Sequence, residues 1–512
     1  MFCRSLFVLM IMMLAATQLE AQAIIYSEPD RDDTRNLNFT IAGKINDHFL
    51  VVKNNRSDDY AVAVYDNDMK MIDKVKLTFL PNRVISTDVL AYKNFFYLFY
   101  QYQRRNIIYC MAAKFNGDGK MMNDPVELDS TTISFFSNNK IYTVINSEDK
   151  QRIAIFKINN RNEDNYTVTT VLFDGSLNRI KKSVLHIPMP DRNDFLTEFA
   201  VSNGGNIVCA RASGTNQNEN INKITLIAKK PLDDSVSYSP IGISKIYLDD
   251  IRIKINNADN RYLVTSFYST TRRGNVDGLF CSILDAATQT EVYNKSAVFS
   301  EDFRASAKTD GSTKSALNDF FLQDIVMRKD GGFVIASESA YSSSRGGGYY
   351  NRYDYMFGSP YWTPSDNYLY GNSLGYGGYP WGRAGYNSNQ ITRFYADNIA
   401  IMSFDSTAGL EWNRVIPKSQ YDDNGDFLIG YGTLKTGAEV HFLFNELEKR
   451  TWILSDQSIT PDGQVQRNPT LHNLDRGFEF MPRYAKQVGS RELIIPCQYR
   501  NYVCFAKVDF AE

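Results

Sequence analysis

Acidic residues recur at one position of a repeated strand motif, where each carboxylate stands at or near the start of a short apolar run. They are Asp88, Glu198, Asp250 and Asp324. If this strand opens each unit of a closed repeat, it lines the central channel and brings the carboxylates to one channel mouth. Carboxylates there could pair as acid and base in glycoside cleavage, or could bind a cation or another ligand. The alternative is that each carboxylate caps backbone N–H groups at a turn.

A second candidate site is an aromatic, glycine-rich insertion at residues 342–390. Residues 341–390 contain 11 Tyr and 10 Gly, together with two Trp. The glycines oppose regular structure, and aromatic faces can stack on a flat partner such as a sugar ring or another protein. The candidate ligand-binding residues are Tyr349, Tyr350, Tyr361, Trp362, Tyr376, Tyr379 and Trp381. The alternative is a low-complexity loop that binds nothing or folds over its own domain.

A third candidate is the cysteine pair Cys497 and Cys504. The two residues flank the turn at Arg500 and Asn501 symmetrically, so a two-residue hairpin would place them directly opposite each other. An oxidising compartment would permit a disulfide there, although bridges across paired strands are often strained. Cys110, Cys209 and Cys281 lie in apolar strand runs and are interpreted as inert core residues.

Motifs for the commonest catalytic and metal sites are missing from the sequence. There is no Gly-x-Ser-x-Gly, no His-Glu-x-x-His and no Cys-x-x-Cys. Residues 422–426 begin like a calcium loop, but Phe427 stands where the sharp turn needs glycine and Thr433 where a bidentate Glu belongs. We therefore predict no metal and no cofactor. The formal net charge of −2 gives no general attraction to nucleic acid, which is not expected as a partner.

The elements that would position these residues are eight copies of a strand pair. In each copy a continuous apolar run, B, is followed by a second run, C, and a continuous run indicates a strand buried on both faces. The B runs are 48–52, 95–99, 140–144, 206–209, 262–265, 333–335, 440–444 and 493–495. The C runs are 61–65, 107–115, 153–158, 224–228, 279–284, 399–404, 451–454 and 502–508.

The copies recur at roughly 45–70 residues apart from the one long insertion, which is typical of a propeller array. The best unit begins with the strand at 321–327, turns at Asp330, Gly331 and Gly332, and continues through 333–336 and 398–416. This unit resembles the Asp-Gly-Gly-apolar propeller repeats of many secreted bacterial proteins. The resemblance implies a fold and a secreted location, and it implies no activity.

We therefore predict an all-β, eight-bladed β-propeller, with seven blades as the alternative count. Residues 22–512 would form this single domain. The eighth unit ends at Phe510 with no room for a fourth strand, and residues 23–26 could supply it. Pairing the two ends would remove the exposed strand edges. Residues 37–45 would then be the first strand of unit 1.

Residues 1–21 have the features of a signal peptide. Arg4 precedes an apolar core at 6–16, and small residues surround a cleavage site after Ala21. About 11 apolar residues are too few to span a bilayer, which needs roughly 20, so no transmembrane helix is expected. The sequence predicts export to the periplasm or cell surface of a Gram-negative bacterium.

Together these features favour a non-catalytic module that binds an envelope protein or a glycan. The insertion and the acidic positions are expected on the same side of the ring, because turns of an up-and-down meander alternate between its two faces. The competing hypothesis is a carbohydrate-active hydrolase or lyase with carboxylates at the channel mouth. The oligomeric state stays open.

Overall fold

The fold is seen in a computed structural model of the chain, in which most residues between 23 and 510 are placed. The described residues are 23–34, 37–55, 59–133, 140–161, 164–191, 194–214, 221–249, 251–308, 312–344, 349–350, 392–423, 426–448, 451–469 and 477–510. The predicted signal peptide at 1–21 lies outside them.

Eight antiparallel sheets follow one another along the chain and form the blades of a propeller, which confirms the predicted fold and the count of eight. Each blade is a meander of strands A to D, from the channel outward. Blades 1 to 4 comprise Asn38–Ile45, His48–Asn55, Asp59–Tyr65 and Met71–Lys76; Val84–Ala91, Phe95–Arg104, Ile107–Asn116 and Val126–Thr132; Thr143–Asn146, Arg152–Arg161, Asn165–Asp174 and Arg179–Pro188; and Asp194–Val201, Ile207–Ser213, Lys223–Lys229 and Ser237–Ile241.

Blades 5 to 8 complete the ring; strand A is in two pieces in blades 5 and 8, and blade 6 has two added short strands. They comprise Tyr247–Leu248 with Arg252–Asn256, Arg261–Ser269, Gly278–Asp285 and Glu291–Val298; Phe320–Met327, Phe333–Ser344, Thr392–Phe404 and Leu410–Ile416, with the short strands Tyr349–Tyr350 and Tyr421–Asp422; Tyr431–Lys435, Val440–Glu448, Thr451–Ile459 and Val465–Arg467; and Phe478–Phe480 with Lys486–Gln487, Glu492–Tyr499, Tyr502–Asp509 and Ala23–Tyr26. A helix spans Glu301–Ala307, and 3₁₀ turns span Thr313–Ser315 and Pro482–Tyr484. No helix in the described ranges has the length and apolarity of a membrane span.

The core is divided among the boundaries between blades. Eight clusters of buried apolar side chains each join one pair of neighbouring blades, and the series returns to its start. At the last boundary, for example, Phe505 of blade 8 packs with Phe49 and Val51 of blade 1. Strands B and C are therefore buried on both faces, which explains their continuous apolar runs.

Turn residues match the turns that they form. Asn46 and Asp47 join strands A and B of blade 1 with φ values of 48° and 67°, the left-handed pair that a tight hairpin requires. In the Asp-Gly-Gly turn of blade 6, Asp330 accepts a hydrogen bond from the N–H of Gly332 at 3.0 Å. Gly331 has φ 83°, and a Cβ on Gly332 would lie 2.6 Å from the carbonyl oxygen of Phe404. The turn thus requires both glycines.

The two ends of the chain close the ring, as predicted. Strand Ala23–Tyr26 pairs antiparallel with strand C of blade 8, with Ala23 opposite Asp509. The contact continues beyond the strand, where Asp33 accepts a hydrogen bond from the N–H of Val503 at 2.8 Å. The Asp33 carboxylate also forms a fully buried ion pair with Lys53 of blade 1. The N-terminal segment is therefore fixed to both the last blade and the first.

The strand assignment in unit 3 was wrong by one strand. The run predicted as strand B, 140–144, leads into and overlaps Thr143–Asn146, which is strand A. The run predicted as strand C belongs to Arg152–Arg161, which is strand B. Strand A of this blade reads as apolar because Tyr142 is buried and Val144 and Ile145 are partly buried against neighbouring blades. The true strand C, Asn165–Asp174, escaped notice because it buries Thr169 and Thr170 among its apolar residues.

Replacing Lys53 tests the closure. Lys53→Ala leaves the Asp33 carboxylate buried without its cation, so we expect the free energy of unfolding to fall by about 3–5 kcal/mol. Equilibrium urea denaturation of the mature chain measures this change.

The control is Lys76→Ala in the same blade, where Lys76 and Asp59 form an exposed ion pair of 3.5 Å. Such a pair contributes less than about 1 kcal/mol. Equal shifts in the two variants would show that the buried pair does not hold the closure.

Candidate functional site

Blade 6 extends beyond the other blades at the end where the insertion leaves the sheet. Its strands B and C have 12 and 13 residues, and they stay paired as far as Ser344 and Thr392. Two short strands widen this extension: Tyr349–Tyr350 pairs with strand B, and Tyr421–Asp422 pairs with strand C. We call the paired segments 340–344 and 392–396 the ribbon. The insertion thus starts from a structured stem.

The ribbon carries an ordered group of aromatic side chains. Tyr341 and Tyr395 stack with ring centroids 4.5 Å apart and planes inclined by 12°, and the ring of Tyr421 lies 6.5 Å from Tyr395. The guanidinium of Arg393 lies 4.4 Å from the centre of the Tyr421 ring, and its Nε is 2.6 Å from Asp423. Tyr421 is 46% exposed. This aromatic and cationic surface is available to a partner.

The predicted ligand-binding residues can be placed only in part. Tyr349 and Tyr350 lie in the short strand that pairs with Ser343 and Ser342. The others lie outside the described residues, and their role stays a prediction; they are Tyr361, Trp362, Tyr376, Tyr379 and Trp381.

A buried charged cluster fixes the base of the ribbon. The Nζ of Lys418 lies 2.6 Å from Oε1 of Glu338, and both side chains are fully buried. Lys418 also donates to the carbonyl of Ala396 at 2.7 Å and to Oε1 of Gln420 at 2.8 Å. Burial raises the pKa of Glu338 and lowers that of Lys418, while the opposite charge of each partner counteracts these shifts. Sequence reasoning missed this cluster, because a single Glu in strand B gives no sign of its partner.

The acidic positions connect neighbouring blades. Asp88 of blade 2 lies 2.9 Å from the Nζ of Lys140, in the segment that leads into blade 3. Glu198 of blade 4 lies 3.5 Å from Nη1 of Arg252 in blade 5. These contacts differ from the expected caps on backbone N–H groups. Burial raises the pKa of Asp88, and the charge of Lys140 counteracts the rise.

The third described acid also contacts a side chain of the neighbouring blade. Asp324 of blade 6 accepts a 3.4 Å hydrogen bond from the hydroxyl of Tyr431 in blade 7. Asp250 lies outside the described residues. The acids of blades 2, 4 and 6 thus each bind a side chain belonging to the next blade along the chain. Neither the repeat nor the spacing revealed these partners, since they come from different units.

The innermost strands line a cavity of about 670 Å³ in the central channel, which we call the channel cavity. Its walls come from strand A of blades 1 to 5 and from the segment 483–486 of blade 8. Asp88 and Glu198 line it, whereas Asp324 is not among the described residues that do. Its size suits a small-molecule ligand.

Two carboxylates of the segment that begins like a calcium loop bind arginine side chains from other parts of the chain. Asp423 binds Arg393, and Asp426 binds the Nη1 of Arg483. Among the described residues, no group of three or more His, Cys, Asp and Glu side chains is arranged to hold a metal ion.

Cys497 and Cys504 are direct partners in the register of strands B and C, as predicted, and both thiols are buried and free in the structure. The N–H groups of Val503 and Phe505 point to the N-terminal segment, so the backbone of Cys504 faces Cys497. Cβ atoms in such hydrogen-bonded pairs are about 5.5 Å apart, whereas a disulfide needs about 3.8 Å. The geometry opposes the bridge, which stays a hypothesis.

Comparisons with known proteins identify no family for the chain. No protein-family model matches the chain, and no curated protein matches it. The WD40 domain of SCAP from fission yeast is 9% identical, with a TM-score of 0.41 over 96% of this chain and 98% of that one. The polysaccharide lyase Uly1 is 9% identical, with a TM-score of 0.38 over 85% and 92%. Prolyl oligopeptidase B from Galerina marginata is 8% identical, with a TM-score of 0.41 over 92% and 56%. With identities below 10% and TM-scores below 0.5, these likenesses support no conclusion about this chain.

Thiol counting tests the cysteine geometry. Burial raises the pKa of the Cys497 thiol well above its ordinary value, so we expect no reaction of the native mature chain with a thiol reagent. After denaturation without reductant, all five cysteines (Cys110, Cys209, Cys281, Cys497 and Cys504) should react. A count of three instead would show that the bridge forms.

Proposed function

We propose that the protein is a non-catalytic binding or scaffold module of the bacterial cell envelope, whose partner is an envelope protein or a glycan. Binding takes place at the outer end of blade 6, through the ribbon and the insertion that it carries. The observation that carries this proposal is the stem, whose two strands are paired up to Ser344 and Thr392 and which leaves Tyr421 and Arg393 partly exposed to solvent.

The chemistry of the ribbon suits stacking with hydrogen bonding. Tyrosine rings offer rigid apolar faces to sugar C–H groups or to apolar side chains, and their hydroxyls bind polar edges at little cost in conformational entropy. Arg393 is held by Asp423 and by the Tyr421 ring, so it is preorganised for a partner. The 11 Tyr of residues 341–390 would extend this surface.

The partners of the acidic residues support a non-catalytic role. Acid–base cleavage of a glycoside needs two carboxylates free to exchange protons at the scissile bond. Asp88 is bound by Lys140 and Glu198 by Arg252, and Asp324 accepts from Tyr431. The competing hydrolase or lyase hypothesis instead requires turnover of an envelope polysaccharide that Asp324→Asn abolishes.

Removing the insertion tests the proposal. Residues 345–391 are replaced by a short Asn-Gly turn, which closes the hairpin between Ser344 and Thr392 without touching their pairing. We expect an unchanged urea midpoint and loss of partner binding, because the contact surface is gone while the interblade cores stay. Capture from envelope extracts with and without protease treatment distinguishes a protein partner from a glycan.

Point variants give the matched control. Tyr421→Ala removes the exposed ring beside Arg393, and Tyr238→Ala removes a comparable exposed ring on blade 4, where Arg211 lies 5.7 Å from it. Loss of one stacked aromatic should weaken binding by roughly tenfold in the first variant only. The proposal fails if the insertion can be removed with no change in capture, or if both tyrosines matter equally.

Export is part of the proposal and rests on residues 1–21 of the sequence. We expect expression of the full chain in a Gram-negative host to yield a mature protein that begins at Gln22, in the periplasm or at the surface. Cell fractionation and intact mass measure both features. A chain retained in the cytoplasm with Arg4 still present would contradict the assignment.

A further inference from the structure

Lys486 stands out among the residues that line the channel cavity, because it donates only to backbone carbonyls among the described residues. Its Nζ lies 2.9 Å from the oxygen of Ile41 and 3.2 Å from that of Ala42, in strand A of blade 1. An ammonium group has three N–H donors. The third therefore has no protein acceptor in the described part of the chain, on a residue that lines the cavity.

The contrast with Arg483, three residues earlier, sharpens this point. Arg483 also lines the cavity, and its Nη1 is bound by the carboxylate of Asp426. Among the described residues Lys486 has no carboxylate partner, so within this part of the chain its charge is balanced only by carbonyl dipoles. Burying a cation without a counter-ion costs free energy, and a bound anion would supply the missing negative charge.

A second lysine adds to the positive potential. The Nζ of Lys150, on the loop between strands A and B of blade 3, donates to the carbonyl of Ala91 at 2.8 Å. Ala91 is adjacent to Gly43 of blade 1, next to the carbonyls that hold Lys486. Burial, and then the charge of Lys150, lower the pKa of Lys486 to about 8. An anion bound beside Lys486 would favour the charged ammonium and so raise this pKa again.

The rest of the lining selects the kind of anion. Asp88, Glu148 and Glu198 also line the cavity, and their carboxylates repel an anion with more than one charge while accepting hydrogen bonds from hydroxyls. A ligand with one negative charge and several hydroxyls meets all of these groups.

We propose that the channel cavity binds a sugar acid, with its carboxylate on the Nζ of Lys486 and its hydroxyls toward the acidic wall. This site is separate from the ribbon. The cavity reaches the loops between strands A and B, where Glu148 and Asn257 line it. The ribbon lies at the opposite end of the strands, where strand B of blade 6 leads into strand C. The inference therefore stands or falls independently of partner binding at blade 6.

Calorimetric titration of the mature chain with D-galacturonate, glucose and inorganic phosphate tests the assignment. We expect binding of galacturonate at millimolar concentration, no heat with glucose and weaker binding of phosphate. Lys486→Gln should weaken galacturonate binding at least about tenfold, since it removes a charge-assisted hydrogen bond. The matched control is Lys44→Gln, at the same blade boundary, where Lys44 is already bound to Glu492 at 2.8 Å. It should leave the affinity unchanged.

A measurement on the unaltered chain covers the case in which Lys486→Gln does not fold. At pH 8 about half of the Lys486 side chains are neutral, so galacturonate should draw in about half a proton on binding, and almost none at pH 6.5. Titrations in buffers with different ionisation heats measure this uptake. The other charged groups at or near the cavity that could also change protonation on binding are Lys150, Arg483, Lys254 and the carboxylates of Asp88, Glu148 and Glu198.

Four results would overturn the proposal. The first two are no binding of galacturonate to the unaltered chain and no proton uptake at pH 8. The third is binding of galacturonate to Lys486→Gln as tight as to the unaltered chain. Phosphate binding as strong as that of galacturonate would leave an anion site without selectivity for a sugar acid.

Discussion

The pairing of Ala23–Tyr26 with strand C of blade 8 is the contact on which the rest of the molecule depends. It joins residues almost 500 positions apart and gives the last blade the strand that its own sequence lacks. Without it the eighth interblade core would lose one wall, and the edges of blades 1 and 8 would be exposed. The buried pair of Asp33 and Lys53 fixes the same segment to blade 1. The central channel exists only because this circle closes.

The innermost strands of the ring are irregular. Strand A is bulged in blades 1, 2, 4 and 6 and divided in blades 5 and 8. Bulges re-aim side chains, and here they accompany polar contacts from one blade to the next. Asp88, Glu198 and Asp324 all bind the following blade, and Lys486 binds the carbonyls of blade 1. Polar groups near the axis therefore hold the ring together, and Lys486 retains one donor for a ligand.

The outer end of blade 6 follows a different principle. Its strands are lengthened by local pairing, and the buried ion pair of Glu338 and Lys418 anchors them from below. Burying such an ion pair has a large desolvation cost, and removing either partner leaves a buried charge that destabilises the fold. A pair of this kind therefore fixes the base of the stem that carries the insertion. The site at the ribbon and the site in the channel thus lie on one scaffold without sharing residues.

The sequence by itself favoured eight blades over seven, and it indicated the closing strand, the insertion and the opposition of Cys497 and Cys504. All four depend on local patterns: apolar runs, glycine turns and symmetric spacing around a hairpin. Strand order in unit 3 was wrong because buried threonines hide a core strand among polar residues. The partners of the acids, the Glu338–Lys418 pair and the carbonyl contacts of Lys486 were decided only by tertiary structure. Each of these contacts joins different strands or blades, and no local pattern records which side chains a closed ring brings face to face.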